Sequence, residues 1–168
     1  CGKGELVRRM NCRGFDAVGY DPAVREFENP PTCSCDLVTA IDVLEHLDPD
    51  GYMSELGLIS GRANRAIFVS ISCRPAYHTF PDGKNCHTLL MKPIYWKKTL
   101  VDVWSDFTMI ESGFNWHSKS LMMLFIRKAV CDPATNEVAA SFNLLRNTCV
   151  WMAIKGCFSE LKRFNLSF

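Results

Sequence analysis

The sequence contains no long apolar run. No uninterrupted stretch approaches the roughly 18 apolar residues that a membrane-spanning helix requires. The first residues also show no charged region followed by an apolar stretch, which is the pattern that directs export. These absences predict a protein that does not associate with membranes, and they favour a cytoplasmic location.

The sequence also lacks an excess of charge of either sign. Lys and Arg total 19 and Asp and Glu total 18, so the formal net charge is +1. Binding duplex nucleic acid through charge requires a strongly positive surface, and nothing in the bulk composition favours such a partner. The length of 168 residues, the hydrophobic fraction of 48% and the charged fraction of 22% are ordinary for one soluble globular domain.

The sequence also lacks regularly spaced cysteines and regularly spaced metal ligands. The nine cysteines are scattered rather than spaced as in a secreted disulfide framework, so we interpret them as reduced thiols. Cys33 and Cys35 are separated by one residue, and Cys86 precedes His87. No second Cys-x-x-Cys or His pair completes a tetrahedral site, and the sequence therefore predicts no metal site.

What the sequence does contain is an alternation of strand and helix patterns. Apolar strand patterns occupy residues 15–20, 36–41, 66–72, 108–116 and 121–128, and helix patterns begin after Gly4, after Ile41 and at Tyr95. Such alternation predicts the α/β class, with a mostly parallel sheet, helices on both faces and an antiparallel last strand. Residues 129–168 carry apolar side chains at helical spacing, so we predict a first domain over 1–128 and a helical C-terminal appendage of unknown role.

Three features converge on one edge of the predicted sheet. Gly2 and Gly4 form a glycine turn that opens a helix, where small residues and free N–H groups admit a polar ligand. Asp21 ends the next strand, where a carboxylate can accept both hydroxyls of an adenosine ribose. A later buried strand brings Asp42 to its carboxyl end, just ahead of His46. Because ligands of open α/β sheets bind outside the carboxyl ends of the strands, a nucleotide-like cofactor is expected there.

The motifs Cys-Gly-Lys-Gly, Gly-Tyr-Asp-Pro and Asp-Leu-Val-Thr-Ala-Ile-Asp-Val-Leu-Glu-His-Leu together resemble those of the class I, Rossmann-like S-adenosylmethionine-dependent methyltransferases. The resemblance implies S-adenosyl-L-methionine as the cofactor. It also implies that Gly2 and Gly4 lie under the methionine part of the cofactor and that Asp21 holds the ribose. Ile41 and Asp42 would then border the methionine or the reaction site.

The sequence departs from this family at two places. It begins at the glycine turn, so we expect the chain to be truncated at its start and to lack the first strand of the sheet. That strand would lie between the strands of Val18 and Val38, and its absence would leave backbone groups unpaired there. The segment 23–34 is too short for a normal third strand and for the adenine contact that this strand brings.

A long polar loop runs from Cys73 to Pro93, and loops of this length are commonly functional. The family places acceptor-contacting residues here, often with a histidine ahead of the next helix. The resemblance therefore implies catalytic roles for Asp82 and His87 in orienting or deprotonating the acceptor. The alternative is an ordered surface loop in which Asp82 forms a turn and His87 is a hydrogen-bonded anchor. We interpret His46 as a packing or capping residue rather than a general base.

Three functions remain open at this point. The first is methyl transfer to an oxygen or nitrogen acceptor on a small molecule or sugar-like metabolite, which needs alignment more than a nucleophile triad. The second is a nicotinamide-dependent oxidoreductase, weakened because Leu6 and Val7 replace the third glycine of the dinucleotide motif. The third is a non-catalytic Rossmann-like binding module. Trp96 and Trp104 are expected in the core rather than as a ligand platform.

Overall fold

The computed structural model describes residues 1–128 and the backbone of residues 149–154. The helices are α1 (Glu5–Asn11), α2 (Tyr52–Arg62) and α3 (Pro93–Val103), with short 3-10 helices at Arg25–Phe27 and Leu44–His46. The strands are β1 (Asp16–Gly19), β2 (Cys35–Ile41), β3 (Ala63–Ser72), β4 (Phe107–Asn115), β5 (Ser120–Arg127) and β6 (Cys149–Ile154). Within these described residues, no helix is both long enough and apolar enough to cross a membrane.

The strands form a mixed sheet in the order β1-β6-β2-β3-β5-β4. β1, β6, β2 and β3 pair in parallel, and β5 pairs antiparallel with both β3 and β4. The predicted α/β class with a mostly parallel sheet is confirmed, and β5, the last strand that the sequence predicted, is antiparallel as expected. The carboxyl ends of β1 and β2 therefore point to the same edge of the sheet.

Helices cover both faces of the sheet because each buried strand is apolar on both sides. In β2, Val38 and Ala40 pack in the core layer that contains residues of α2 and α3, whereas Leu37 and Ile41 pack in the layer that contains α1. Alternate side chains of a strand point to opposite faces, so a run of apolar residues needs cover on each side. Trp96 and Trp104 are 0% and 1% exposed, which confirms that they are core residues.

The helix expected after β2 is interrupted. Leu44–His46 forms a 3-10 helix, Leu47 is extended with a ψ of 152°, and α2 begins only at Tyr52. Pro49 has no N–H to donate and Gly51 is a poor helix former, so the intervening segment does not continue the helix. The interruption leaves His46 on a short turn at the end of β2.

The position between β1 and β2 is filled by β6. Trp151 of β6 is in parallel register with Val18 of β1 and with Val38 of β2. We expected this position to lack a strand and its backbone groups to be unpaired, and that expectation is wrong. The helical prediction is also wrong for Cys149–Ile154, because two strand edges offering unpaired N–H and C=O groups favour a strand over a local helical pattern. The rest of 129–168 lies outside the described residues, and the division at 128 stays a prediction.

Candidate functional site

A cleft of about 790 Å³ opens beside the carboxyl ends of β1 and β2. Its walls include Gly2 from the glycine turn, Asp21 after β1, Asp42 and His46 after β2, and Leu58 of α2. The volume lies within the range of small-molecule and cofactor sites. The structure therefore brings Gly2, Asp21, Asp42 and His46 together at the edge of the sheet that the sequence predicted.

The carboxylate of Asp21 fastens the glycine turn to the end of β1. Its Oδ2 accepts the Gly2 N–H at 2.7 Å, while its Oδ1 accepts the Ala23 N–H at 3.0 Å. Burial acts to raise the pKa of Asp21, but these donors outweigh burial and lower its pKa below the ordinary value. Asp21 therefore presents a charged carboxylate to the cleft at neutral pH.

The two glycines of the turn have different surroundings. Both adopt a left-handed backbone, with a φ of 55° at Gly2 and 72° at Gly4, a conformation that glycine reaches without steric strain. Gly2 lines the cleft. Gly4 is buried against the ring of Phe27, which any added Cβ would strike, and it is not among the described residues that line the cleft. The left-handed backbone and the contact with Phe27 together account for glycine at position 4 without a ligand.

The two candidate residues at the end of β2 also differ in position, because Asp42 reaches the cleft and Ile41 does not. Asp42 lines the cleft and has a φ of 52°, an uncommon conformation for a residue other than glycine. Its N–H donates to the Ser70 carbonyl at 2.8 Å, which holds the turn against β3. Ile41 is only 3% exposed, belongs to the core layer under α1, and is not among the described lining residues.

His87 is held by a network inside the loop that follows β3. The side-chain amide of Asn85 bridges the N–H and carbonyl of Ala76 at 2.9 Å each, and its Oδ1 also accepts the His87 N–H at 3.0 Å. The Nδ1 atom of His87 lies 2.5 Å from the carbonyl oxygen of Arg74. Sequence reasoning missed Asn85, since a single asparagine in a polar loop carries no distinguishing signal.

Asp82 lies at an exposed turn of the same loop. Its Oδ1 accepts the Lys84 N–H at 3.1 Å, and its side chain is 54% exposed and 3.4 Å from the Lys84 amino group. Neither Asp82 nor His87 lines the cleft within the described part of the chain. These contacts match the turn and anchor alternative, and the catalytic roles stay predictions.

The structure also groups Glu45, His46 and His87, an arrangement that the sequence did not reveal. The rings of His46 and His87 meet edge to face with centroids 4.8 Å apart. Glu45 is completely buried, and its Oε1 accepts the Ser72 N–H at 3.0 Å. Burial, reinforced by the charge of Glu45, raises the pKa of the nearby Cys73 thiol to about 11. This group therefore combines a buried carboxylate with two imidazoles beside the cleft.

No protein-family model matches the sequence, and no curated protein matches it. Among solved structures, it is similar to crystal structures of magnesium protoporphyrin IX methyltransferase (ChlM) from Synechocystis PCC 6803. With the structure containing bound SAM, the identity is 18% and the TM-score 0.40, over 58% of this chain and 41% of that one. With the structure containing bound SAH, the identity is 18% and the TM-score 0.46, over 60% and 49%. The match thus spans less than half of each of those chains.

Proposed function

We propose that this protein is an S-adenosylmethionine-dependent methyltransferase that acts on an oxygen or nitrogen atom of a small molecule or sugar-like metabolite. The observation that carries the proposal is the charged carboxylate of Asp21, which stands at a strand end in the cleft with Gly2 directly beside it. Asp42 reaches the same cleft from the next motif. The order of these three positions along the sequence is that of the methyltransferase motifs.

The residues of the cleft fit this cofactor. A carboxylate offers about four hydrogen-bond acceptor positions, and Oδ1 of Asp21 accepts a single described N–H, so it can still accept a ribose hydroxyl. Gly2 has no side chain to keep the methionine portion from the backbone. When bound, the cofactor supplies an electrophilic methyl group on a positively charged sulfonium.

The chain itself would contribute alignment and proton removal. A methyl acceptor must lie in line with the sulfonium, so much of the rate arises from positioning. A carbonyl oxygen only accepts hydrogen bonds, so the contact with Arg74 places the proton of a neutral His87 on Nδ1 and leaves a lone pair on Nε2. In our proposal this nitrogen takes the proton of the acceptor, and Asp82 orients the loop or the acceptor.

Titration of the full chain with nucleotide cofactors tests the cofactor assignment. S-adenosylhomocysteine is expected to bind with one site per chain, whereas a nicotinamide dinucleotide is expected to bind at least about tenfold more weakly. The difference is expected because Leu6 and Val7 replace the third glycine of the dinucleotide motif. Calorimetry measures both affinities. Tighter binding of the dinucleotide would favour an oxidoreductase, and binding of neither would favour a non-catalytic module.

Substitution of the loop residues tests their proposed roles. His87→Ala and Asp82→Ala are each expected to lower kcat while the affinity for S-adenosylhomocysteine stays nearly unchanged, because alignment of the acceptor appears in the rate. The expected loss for a general base is about 100-fold or more. Release of S-adenosylhomocysteine with an acceptor found by screening hydroxylated and amine metabolites measures the rate. His78→Ala, an exposed histidine of the same loop, is the matched control. If both loop variants keep the rate of the parent protein, the loop has only a structural role and the predicted catalytic roles are wrong.

A further inference from the structure

We propose that Glu45, His46 and His87 form a binding site for a divalent first-row transition-metal ion at the border of the cleft. One donor atom from each of the three side chains lies within 4.8 Å of the other two. The proposal rests on these three side chains and their contacts, not on the proposed methyltransferase function. Metal binding and general-base catalysis are alternatives at the Nε2 of His87, because a bound ion occupies the lone pair that would take the proton.

The spacing is close to that of an occupied site. Metal–ligand bonds of about 2.0–2.2 Å hold neighbouring donor atoms roughly 3–3.5 Å apart. The widest pair, up to 4.8 Å apart, would therefore close by about 1.3–1.8 Å, a distance that side-chain torsions can cover. Glu45 and His46 are adjacent on the Leu44–His46 turn, and the loop carrying His87 is fastened to that turn by the Leu89 N–H, which donates to the Glu45 carbonyl at 3.0 Å.

Both imidazoles are oriented as metal ligands usually are. The Nδ1 of His46 lies 2.8 Å from the Cys86 carbonyl oxygen, and the Nδ1 of His87 lies 2.5 Å from that of Arg74. Since a carbonyl oxygen cannot donate, each neutral ring carries its proton on Nδ1 and its lone pair on Nε2. Metal-bound histidines almost always donate their other N–H to a carbonyl or carboxylate in this way, which holds the tautomer and the ring plane.

The charge and chemistry of the group define the class of ion. A positive ion would add to the stabilisation that the Ser72 N–H already gives the fully buried carboxylate of Glu45. Two imidazoles and one carboxylate suit Zn²⁺, Fe²⁺, Co²⁺ and Mn²⁺, whereas Mg²⁺ and Ca²⁺ prefer oxygen ligands. Three protein ligands leave at least one coordination position open. Because His46 also lines the cleft, that position would be reachable from it.

Cobalt titration of the metal-stripped full chain, without any cofactor, tests the site. We expect one Co²⁺ per chain and ligand-field absorption without thiolate-to-cobalt charge transfer, which would report the cysteines instead. Zn²⁺ should displace the cobalt, and a large excess of Mg²⁺ should not. His87→Gln and Glu45→Gln are each expected to weaken Co²⁺ binding about 100-fold or more, since losing an outer-shell partner alone costs 10–100-fold.

His117→Gln is the matched control, because His117 is an exposed histidine outside the group. It should bind Co²⁺ like the parent. Should Glu45→Gln fail to fold, His87→Gln decides the test, because His87 lies on a loop and is partly exposed. Absence of binding by the parent, a thiolate spectrum, or unchanged affinity in His87→Gln would overturn the proposal. Each of these results is obtained independently of S-adenosylhomocysteine titration, so failure of the metal site and failure of the proposed function remain distinguishable.

Discussion

Replacing Trp104 with Ala is expected to lower the free energy of unfolding by about 3–5 kcal/mol, the usual loss for a large buried aromatic side chain. Trp104 is 1% exposed, and its indole N–H donates to the Leu56 carbonyl at 2.9 Å. Its ring also meets the edge of Phe125 with centroids 4.9 Å apart. The substitution removes these contacts between the end of α3, α2 and β5 and leaves a cavity, so the melting temperature should fall by on the order of 10 °C.

Thermal and denaturant unfolding of Trp104→Ala and Trp116→Ala provide the measurement. Trp116 is 77% exposed, so the same chemical change at that position should alter stability by less than about 1 kcal/mol. Equal losses in the two variants would contradict the assignment of Trp104 to the core. Because α2 forms one wall of the cleft through Leu58, weaker cofactor binding is also expected in Trp104→Ala.

Asp21→Asn is expected to weaken S-adenosylhomocysteine binding about tenfold or more. Hydrogen bonds to a charged group contribute roughly 1.5–3 kcal/mol, and the neutral amide retains only one acceptor oxygen. That oxygen cannot serve the Gly2 and Ala23 N–H groups and a ribose together, so some loss of stability is also expected. Because the pKa of Asp21 is lowered, its stabilising contacts persist above the ordinary pKa of about 3.9 and are lost as the pH falls through the lowered value.

Two controls separate ribose recognition from general disturbance of the turn. Asp16→Asn makes the same change of charge at the exposed amino end of β1, away from the cleft, and should bind S-adenosylhomocysteine like the parent. Calorimetric titration with an analogue lacking the ribose hydroxyls provides the second control. The parent should discriminate strongly between the two ligands and Asp21→Asn should not. If Asp21→Asn binds S-adenosylhomocysteine as tightly as the parent, Asp21 does not contact the cofactor, and the main argument for a methyltransferase fails.

The described strands β1 to β5 could be predicted because their signals are local. Runs such as Cys35–Ile41 are apolar on both faces, which is the requirement for a strand covered by helices on each side. The parallel direction of β1 and β2 then places Asp21 and Asp42 at one edge, whatever the details of the packing. The strand β6 could not be predicted, because its helical spacing is a local signal and its strand conformation depends on partners more than 100 residues earlier in the sequence.

The sequence by itself determined the layered α/β class and the edge of the sheet where a ligand would bind, since hydrophobic period and motif order act over a few residues. Tertiary structure decided which candidates share the cleft. It placed Gly2 in the wall and Gly4 against Phe27, because one turn can present only one of its faces to the cleft. It also brought His87 to His46, because the Leu89 N–H and the Cys86 carbonyl fasten the loop to the turn after β2. Contacts of this kind depend on hydrogen bonds between residues far apart in the sequence, and a local pattern of residues does not predict them.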